Sequence, residues 1–350
     1  MTESMSVSTS TPIVGRAFAR VGLMGNPGDA VGGPALAVSI ADLGAGVTLT
    51  PSGRIALIEP EHERPEWNEL DQLLRDVRSL GPHGGRRLML ALIARLAKNK
   101  YAEALPWPPP GFTLTWGSSI PRRVGLGGSS ALLTAGLRAL CTHWSLALSP
   151  LEQVKIVLEC ETKSLGIPAG PMDRVAQVFE GLVFFDTRDD GTLQVESLDP
   201  ASLPPLFIAI DERASEGTEV FHSNLRERFE SGEAEVRRGI EELRELTEQA
   251  RVLLLAGKGN EIGPLMDRNF DVRCSLARLN PLHEQMVHAA REAGAHAKFA
   301  GSGGSIVGSC AEEKMDTVLG ALRARGLSAF RPTIRPAVHS PAKPEAAPRA

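Results

Sequence analysis

Cysteine is scarce in this chain, four in 350 residues, and the four are scattered. Cys141, Cys160, Cys274 and Cys310 form no CxxC pair and no metal-ligand spacing. A disulfide framework and the common zinc sites are thereby excluded, and the thiols read as reduced, mostly buried groups of a cytoplasmic protein. Long hydrophobic runs are missing too, so no segment is suited to span a bilayer. Met1–Thr11 is rich in Ser and Thr and has no apolar core before Ile13, which is not the pattern of a signal peptide. Neither sign of charge dominates: the net charge of −4 gives no electrostatic reason to bind nucleic acid or an anionic membrane. There is no internal repeat. What is present is 42% hydrophobic content, enough to bury one large or two closely joined domains. Residues 1–12 and the Pro/Ala-rich 336–350 read as loose tails around domains at 13–200 and 201–335.

The most informative stretch is Ile120–Cys141, IPRRVGLGGSSALLTAGLRALC. Phe112–Ile120 before it alternates Phe112, Leu114 and Trp116 with Thr113 and Thr115, and predicts a strand. Gly125, Gly127 and Gly128 surround Leu126, and Ser129–His143 is an Ala/Leu-rich helical run. Strand, glycine turn, helix start is the layout of an anion site. Glycines let the backbone approach closely, and the first N–H groups of the helix lack intrahelical partners. Ser129 and Ser130 can cap the helix or offer hydroxyls to a phosphate or a Mg²⁺ ion. The same residues also suit a plain tight turn with an N-cap. Two common phosphate loops are absent: no Lys follows Gly128 as in a Walker A loop, and Gly125–Ser130 does not fit G-x-G-x-x-G.

Upstream, Val14–Gly25, Leu36–Ile40 and Val47–Thr50 predict strands, and Pro51–Gly53 a hairpin turn into Arg54–Glu59. Arg20, Asn26 and Asp29 lie in or near the polar loop Asn26–Gly33, whose composition is ordinary turn chemistry. Trp67–Leu80 and Arg86–Lys100 have helical apolar spacing, and Pro106–Pro110 predicts a stiff linker. Ser149, Pro150 and Glu152 mark the start of a helix over Ser149–Leu165, with Glu159 and Glu161 near its end. Asp173 follows Gly170 and precedes a short helix Arg174–Phe179; it suits a helix cap or, beside a hydroxyl, a general base. Phe207–Ile210 predicts a strand, and Val220–Leu255 one long charged helix with Leu243, Leu246, Val252 and Leu254 inside. Leu282–Ala293 continues the helical part. Ala297–Cys310 reads as strand, glycine loop, strand, and Glu312–Arg325 and Ala329–Ile334 close the chain.

PRRVGLGGSSA, from Pro121 to Ala131, resembles the second motif of the GHMP kinases, P-x-x-x-G-L-G-S-S-A, with one extra glycine. ARVGLMGNPGD resembles the first motif, and AKFAGSGGS the glycine-rich third. AGPMDRVAQVFEGLV resembles the glucuronokinase form of the catalytic segment. The resemblance spans Arg20 to Cys310. It implies an α+β GHMP kinase fold: an N-terminal ribosomal-S5-like domain with a left-handed crossover, and a C-terminal ferredoxin-like domain. It also implies phosphoryl transfer from ATP, with Mg²⁺, to a hydroxyl of a small sugar or sugar acid, foremost the anomeric hydroxyl of D-glucuronate. Pro121, Gly125, Leu126, Gly127, Gly128, Ser129, Ser130 and Ala131 would bind the nucleotide together with Gly301, Ser302, Gly303 and Gly304. Ser130 and Glu161, with Glu159 as the alternate acid, would hold the metal. Asp173 would be the base. Arg20, Asn26, Asp29 and Arg174 would face the acceptor, and Arg122 is a further candidate for a uronate carboxylate. A different acceptor within the family, or a non-catalytic ATP and sugar sensor, is the alternative.

Overall fold

The structure is a computed structural model that describes residues 11–59, 65–106, 109–187, 191–214, 219–277 and 279–339. Two sheets with their helices make an α+β fold, as expected. The larger sheet is built around one 17-residue strand. After β1 (Ile13–Met24), β2 (Ala35–Pro51) pairs antiparallel with β1 along its length. The two strands read separately from the sequence are thus halves of β2. A register shift between Phe18 and Ala19 takes up residues 41–43 of β2 between Ile40 and Gly44, and a second lies between Gly22 and Met24. Next come β3 (Ile55–Ile58), β4 (Glu66–Trp67), α1 (Leu70–Leu80), α2 (Arg87–Leu96), α3 (Asn99–Glu103) and β5 (Phe112–Ser118). Pro51–Gly53 is not a hairpin turn. β5 inserts between β2 and β3, antiparallel to β2 and parallel to β3. The parallel pairing requires the crossover through α1–α3. Of the proline cluster, residues 107–108 lie outside the described residues.

α4 (Gly128–Trp144) lies against β1 and β2 and is buried on most sides, which suits its Ala/Leu/Gly composition. α5 (Pro150–Glu159) begins with the expected capping box between Ser149 and Glu152. It does not run on as an α-helix to Leu165: Cys160–Ser164 forms a single π-helical turn, a widening often found at functional positions. α6 (Met172–Phe179) leads into β6 (Leu182–Thr187) and β7 (Leu193–Leu198), which extend the large sheet beside β2.

The smaller sheet holds β8 (Leu206–Ile210), β9 (His296–Phe299), β10 (Ser305–Ser309) and β11 (Ser328–Phe330). Their order is β11-β8-β10-β9, every neighbour antiparallel. With α10 (Pro281–Glu292) before β9 and α11 (Met315–Ala324) before β11, this is the ferredoxin-like split β-α-β arrangement. Three further helices stand between β8 and α10: α7 (Glu219–Glu230), α8 (Ala234–Leu255) and α9 (Gly263–Leu276). The single helix expected over Val220–Leu255 is broken at Gly232, whose φ of +84° is the left-handed stop that glycine provides. Val252, expected inside, is 59% exposed. Residues beyond β11 do not trail away at 336. Ile334 bridges to Ile40, and the N–H of Val338 donates to Phe179 O at 2.9 Å, so the segment runs back across the larger domain. All four cysteines are free, with Cys160 and Cys310 buried, Cys141 half-buried and Cys274 exposed.

Candidate active site

The two glycine loops meet between the domains. Gly125, at φ +70°, has no room for a side chain: a Cβ there would lie 2.7 Å from Gly303 O and 2.8 Å from Ser302 N. A Cβ on Gly301 would run into Gly125 O. Ser305 Oγ donates to Val124 O at 2.6 Å and locks the second loop onto the first. α4 then begins at Gly128 with Gly127 as N-cap and no side-chain cap, so neither Ser129 nor Ser130 caps the helix. The N–H groups of its first turn and the positive end of its dipole stay available to an anion. At Gly128 the nearest atom to a built Cβ is Ile120 Cγ2 at 3.7 Å, ordinary contact. The protein leaves room there, and a glycine is required only if a ligand fills that room. Pro121 is half-buried at the entry to the loop, while Leu126 and Ala131 are buried and anchor it.

The two serines have different partners. Ser129 Oγ donates to Glu161 Oε1 at 2.6 Å. Ser130, fully buried, donates to Gly127 O at 3.0 Å and lies 3.5 Å from Asp173 Oδ2. The hydroxyl beside Glu161 is therefore that of Ser129, in place of the expected Ser130. Glu159 is held away by Arg95 and Lys163. The π-helical turn puts Glu161 on the inner side, 1% exposed, where it also receives Arg174 Nη2. Arg174 Nη1 donates to Gly170 O at 2.8 Å, and burial lowers this guanidinium to about 9.

Asp173 lies in the first turn of α6, inside the helix and not at its cap. Arg20, 5% exposed, reaches it with Nε and Nη2, both 2.6 Å from Oδ1. Arg20 Nη1 also donates to Gly125 O at 2.6 Å and Ala300 O at 3.1 Å. One guanidinium thus ties the carboxylate to both glycine loops, with four contacts spent on that task. Gln177, one turn along α6, donates to Gly127 O at 2.7 Å. Asp29 is buried beside this group and accepts the N–H of Met172. Its carboxyl is pushed up to about 6, first by burial and then by the charge of Asp173, against the pull of Arg20.

Four residues in this region were not singled out from the sequence. Lys298 is buried and donates to Gly22 O, to Phe299 O and to Asn26 Oδ1. Burial pulls its ammonium well below the usual lysine range, with Arg273 and Arg20 adding to the effect. Asn269 accepts the N–H of Gly25 at 2.8 Å and donates to Asn26 O at 3.0 Å. Arg273, four residues along α9, donates to Gly301 O at 2.8 Å and Ser302 O at 3.0 Å. Gln177 is the fourth. Asn269 and Arg273 form a buried polar pair at i,i+4, a pattern visible in the sequence once α9 is recognised as a helix. Arg122 lies exposed on the solvent side of the loop. Among the described residues, no group of three or more His, Cys, Asp or Glu can hold a metal by itself.

Known proteins resemble this chain in sequence and in fold. Residues 89–181 match the model of the GHMP kinases N terminal domain. "Glucuronokinase 1" of Arabidopsis thaliana is 35% identical over 309 residues, covering 85% of this chain and 84% of that protein. In the solved structures, galactokinase of Lactococcus lactis complexed with galactose superposes with a TM-score of 0.76 at 17% identity, covering 93% of this chain and 94% of that one. The mevalonate kinase of Methanococcus jannaschii gives 0.73 at 18%, covering 94% and 100%. Two glycine loops pressed together, a clamped carboxylate beside them and a relative matched over most of its length at this identity lead to one assignment: the chain belongs to the GHMP kinases.

Proposed function

We propose that this chain is a sugar-acid kinase that transfers the γ-phosphate of ATP to the anomeric hydroxyl of D-glucuronate. The observation that carries the reading is Asp173, clamped by Arg20 beside the paired glycine loops at the start of α4. Phosphoryl transfer asks for positioning and charge neutralisation more than covalent chemistry. The two loops and the first turn of α4 hold the phosphates. Asp173 takes the proton of the acceptor hydroxyl, and Arg20 holds that carboxylate in line. The acceptor class comes from the Arabidopsis relative. The loop carrying Asn26 and Asp29, whose carboxyl is buried beside Asp173, is the part of the chain it would meet.

Ser129 and Glu161 suit Mg²⁺. They are two hard oxygen donors 2.6 Å apart at the phosphate loop, and Mg²⁺ is commonly held by one or two protein oxygens together with nucleotide phosphates. When bound, the ion neutralises charge on the phosphates. The protein's own part is to hold Glu161 in place, which Arg174 and Ser129 do.

The test is Asp173→Asn, assayed by ADP release with Mg-ATP and D-glucuronate, against a panel of other sugars and mevalonate. Turnover is expected to fall roughly 10²–10⁴-fold with nucleotide affinity nearly unchanged. Wild-type turnover in the folded variant would remove Asp173 as the base. Binding of ATP and sugar with no ADP release from any acceptor would make the protein a sensor.

A further inference from the structure

α6 presents Asp173 from its first turn, and its other end is gripped by residues that no motif includes. The carbonyls of Gln177 and Val178 accept Arg138 Nη2 at 3.1 and 3.2 Å. Phe179 O accepts the N–H of Val338 at 2.9 Å and of His339 at 3.4 Å. Ala176 O accepts Ser39 Oγ at 2.5 Å. Ala176 O also accepts the N–H of Glu180 at 3.0 Å; the carbonyls of Gln177, Val178 and Phe179, which come too late in the helix for a helical partner, are satisfied from other parts of the chain. Just past the helix sits Glu180, 2% exposed at φ +56°. Its Oε1 accepts Arg138 Nη1 at 2.9 Å and its Oε2 accepts Arg335 Nε at 2.9 Å. Arg138 belongs to α4, the helix that begins at the phosphate loop. Arg335 belongs to the segment that returns from the smaller domain. That segment is itself fixed: Arg335 N–H donates to Ser39 O at 2.9 Å, Thr333 N–H to Asp42 Oδ2 at 2.7 Å, and the Arg335 guanidinium lies 4.1 Å above the Phe18 ring.

We infer that Glu180, through Arg138 and Arg335, is a positioning group that sets the angle of α6 and so the place of Asp173 against the phosphate loop. A short helix held at both ends behaves as a rigid lever. Its front end is tied to the loops by Arg20, its last turn to Gly127 O by Gln177, and its carbonyl end to α4 and the returning strap. Releasing the strap frees the back end to turn while the nucleotide cradle, made by α4 and the glycine loops, stays intact. A shift of about 1 Å in a reacting group can cost on the order of 100-fold in rate. The inference rests on Asp173 being the base.

The experiment uses full-length Arg335→Ala, Arg335→Lys and Glu180→Gln proteins. Hydrogen exchange of the α6 amides is expected to quicken in Arg335→Ala and Glu180→Gln while that of α4 does not. Turnover is expected to fall about tenfold or more with the affinity for a non-hydrolysable ATP analogue within twofold, and Arg335→Lys is expected to recover most of it. In an Asp173→Asn background, Arg335→Ala should cost little further, because both act on one group. The inference is overturned if α6 exchange is unchanged. It is equally overturned if the melting temperature falls with turnover intact, or if the rate loss is the same size in the Asp173→Asn background. Should Asp173→Asn alone keep wild-type turnover, the base assignment has failed, and the exchange data still decide whether the strap holds α6.

Discussion

Asp29 offers a test that needs no substrate. Its carboxyl is buried next to Asp173, and its proton is held up to about 6 against an ordinary 3.8. The cause is loss of hydration first and the neighbouring charge second. Below about pH 4 the group is protonated folded or unfolded, and costs nothing. Between about pH 4 and 6 the unfolded chain has released the proton and the folded chain keeps it, so stability falls as pH rises. The slope is close to 1.4 kcal/mol per pH unit, and the loss levels off above pH 6 at roughly 3 kcal/mol. Asp29→Asn keeps an oxygen to accept the Met172 N–H and removes the charge. Its stability relative to wild type should therefore grow by roughly 3 kcal/mol from pH 4 to pH 7 and stay flat above. The assay is urea unfolding of both proteins at unit pH steps from 4 to 8; titrating groups that do not interact with Asp29 are common to the two and cancel in the difference. Adding Asp173→Asn to both should narrow the window, since one of the two causes is gone. A difference that does not vary with pH would refute a buried, charge-strained Asp29.

Two other substitutions separate protein contacts from the proposed ligand contacts at the two glycine loops. Gly301→Ala drives a methyl into Gly125 O and should destabilise the fold by about 1–3 kcal/mol as well as abolish nucleotide binding, read by melting and calorimetry. Gly128→Ala meets only ordinary contacts and should fold normally yet bind ATP weakly; full affinity would place the phosphates elsewhere. Ser129→Ala should raise the Mg²⁺ concentration needed for half-maximal rate more than Ser130→Ala does, because Ser129 is the partner of Glu161. The reverse order in a Mg²⁺ titration would restore Ser130 as the metal residue.

Much of the fold was legible because its strongest signals are local. The alternation in Phe112–Ser118, the box at Ser149 and Glu152, and the glycine loop of Ala300–Gly304 each depend on neighbours in sequence. α9 was not legible, because Asn269 and Arg273 face inward and spoil the apolar period that marks a buried helix face. The strand β7 was missed for a related reason: Gln194, Glu196 and Ser197 leave few apolar positions in six residues. In the candidate site, residue types and order picked out the two glycine loops that the fold brings together, but not the pairings. Which of two adjacent serines meets Glu161 is decided by where α4 starts, one residue before Ser129, and by the π-helical turn that aims the carboxylate. Nor does any local pattern link Arg20 to Asp173, 153 residues away.

The lysine beneath the cradle has a consequence for the protein's birth. Lys298 meets Gly22 O across 276 residues, and Arg20 meets Ala300 O across 280. At roughly 5–20 residues per second, about 14 to 55 seconds of translation separate the two sides of each bond. During that interval the nascent larger domain carries Gly22 O, Asn26 and one edge of the Gly125 loop with nothing to close them. A polypeptide released before β9 is made lacks both Lys298 and the Ala300–Gly304 loop, so Gly22 O and the Gly125 loop stay without these partners however well the first sheet has formed.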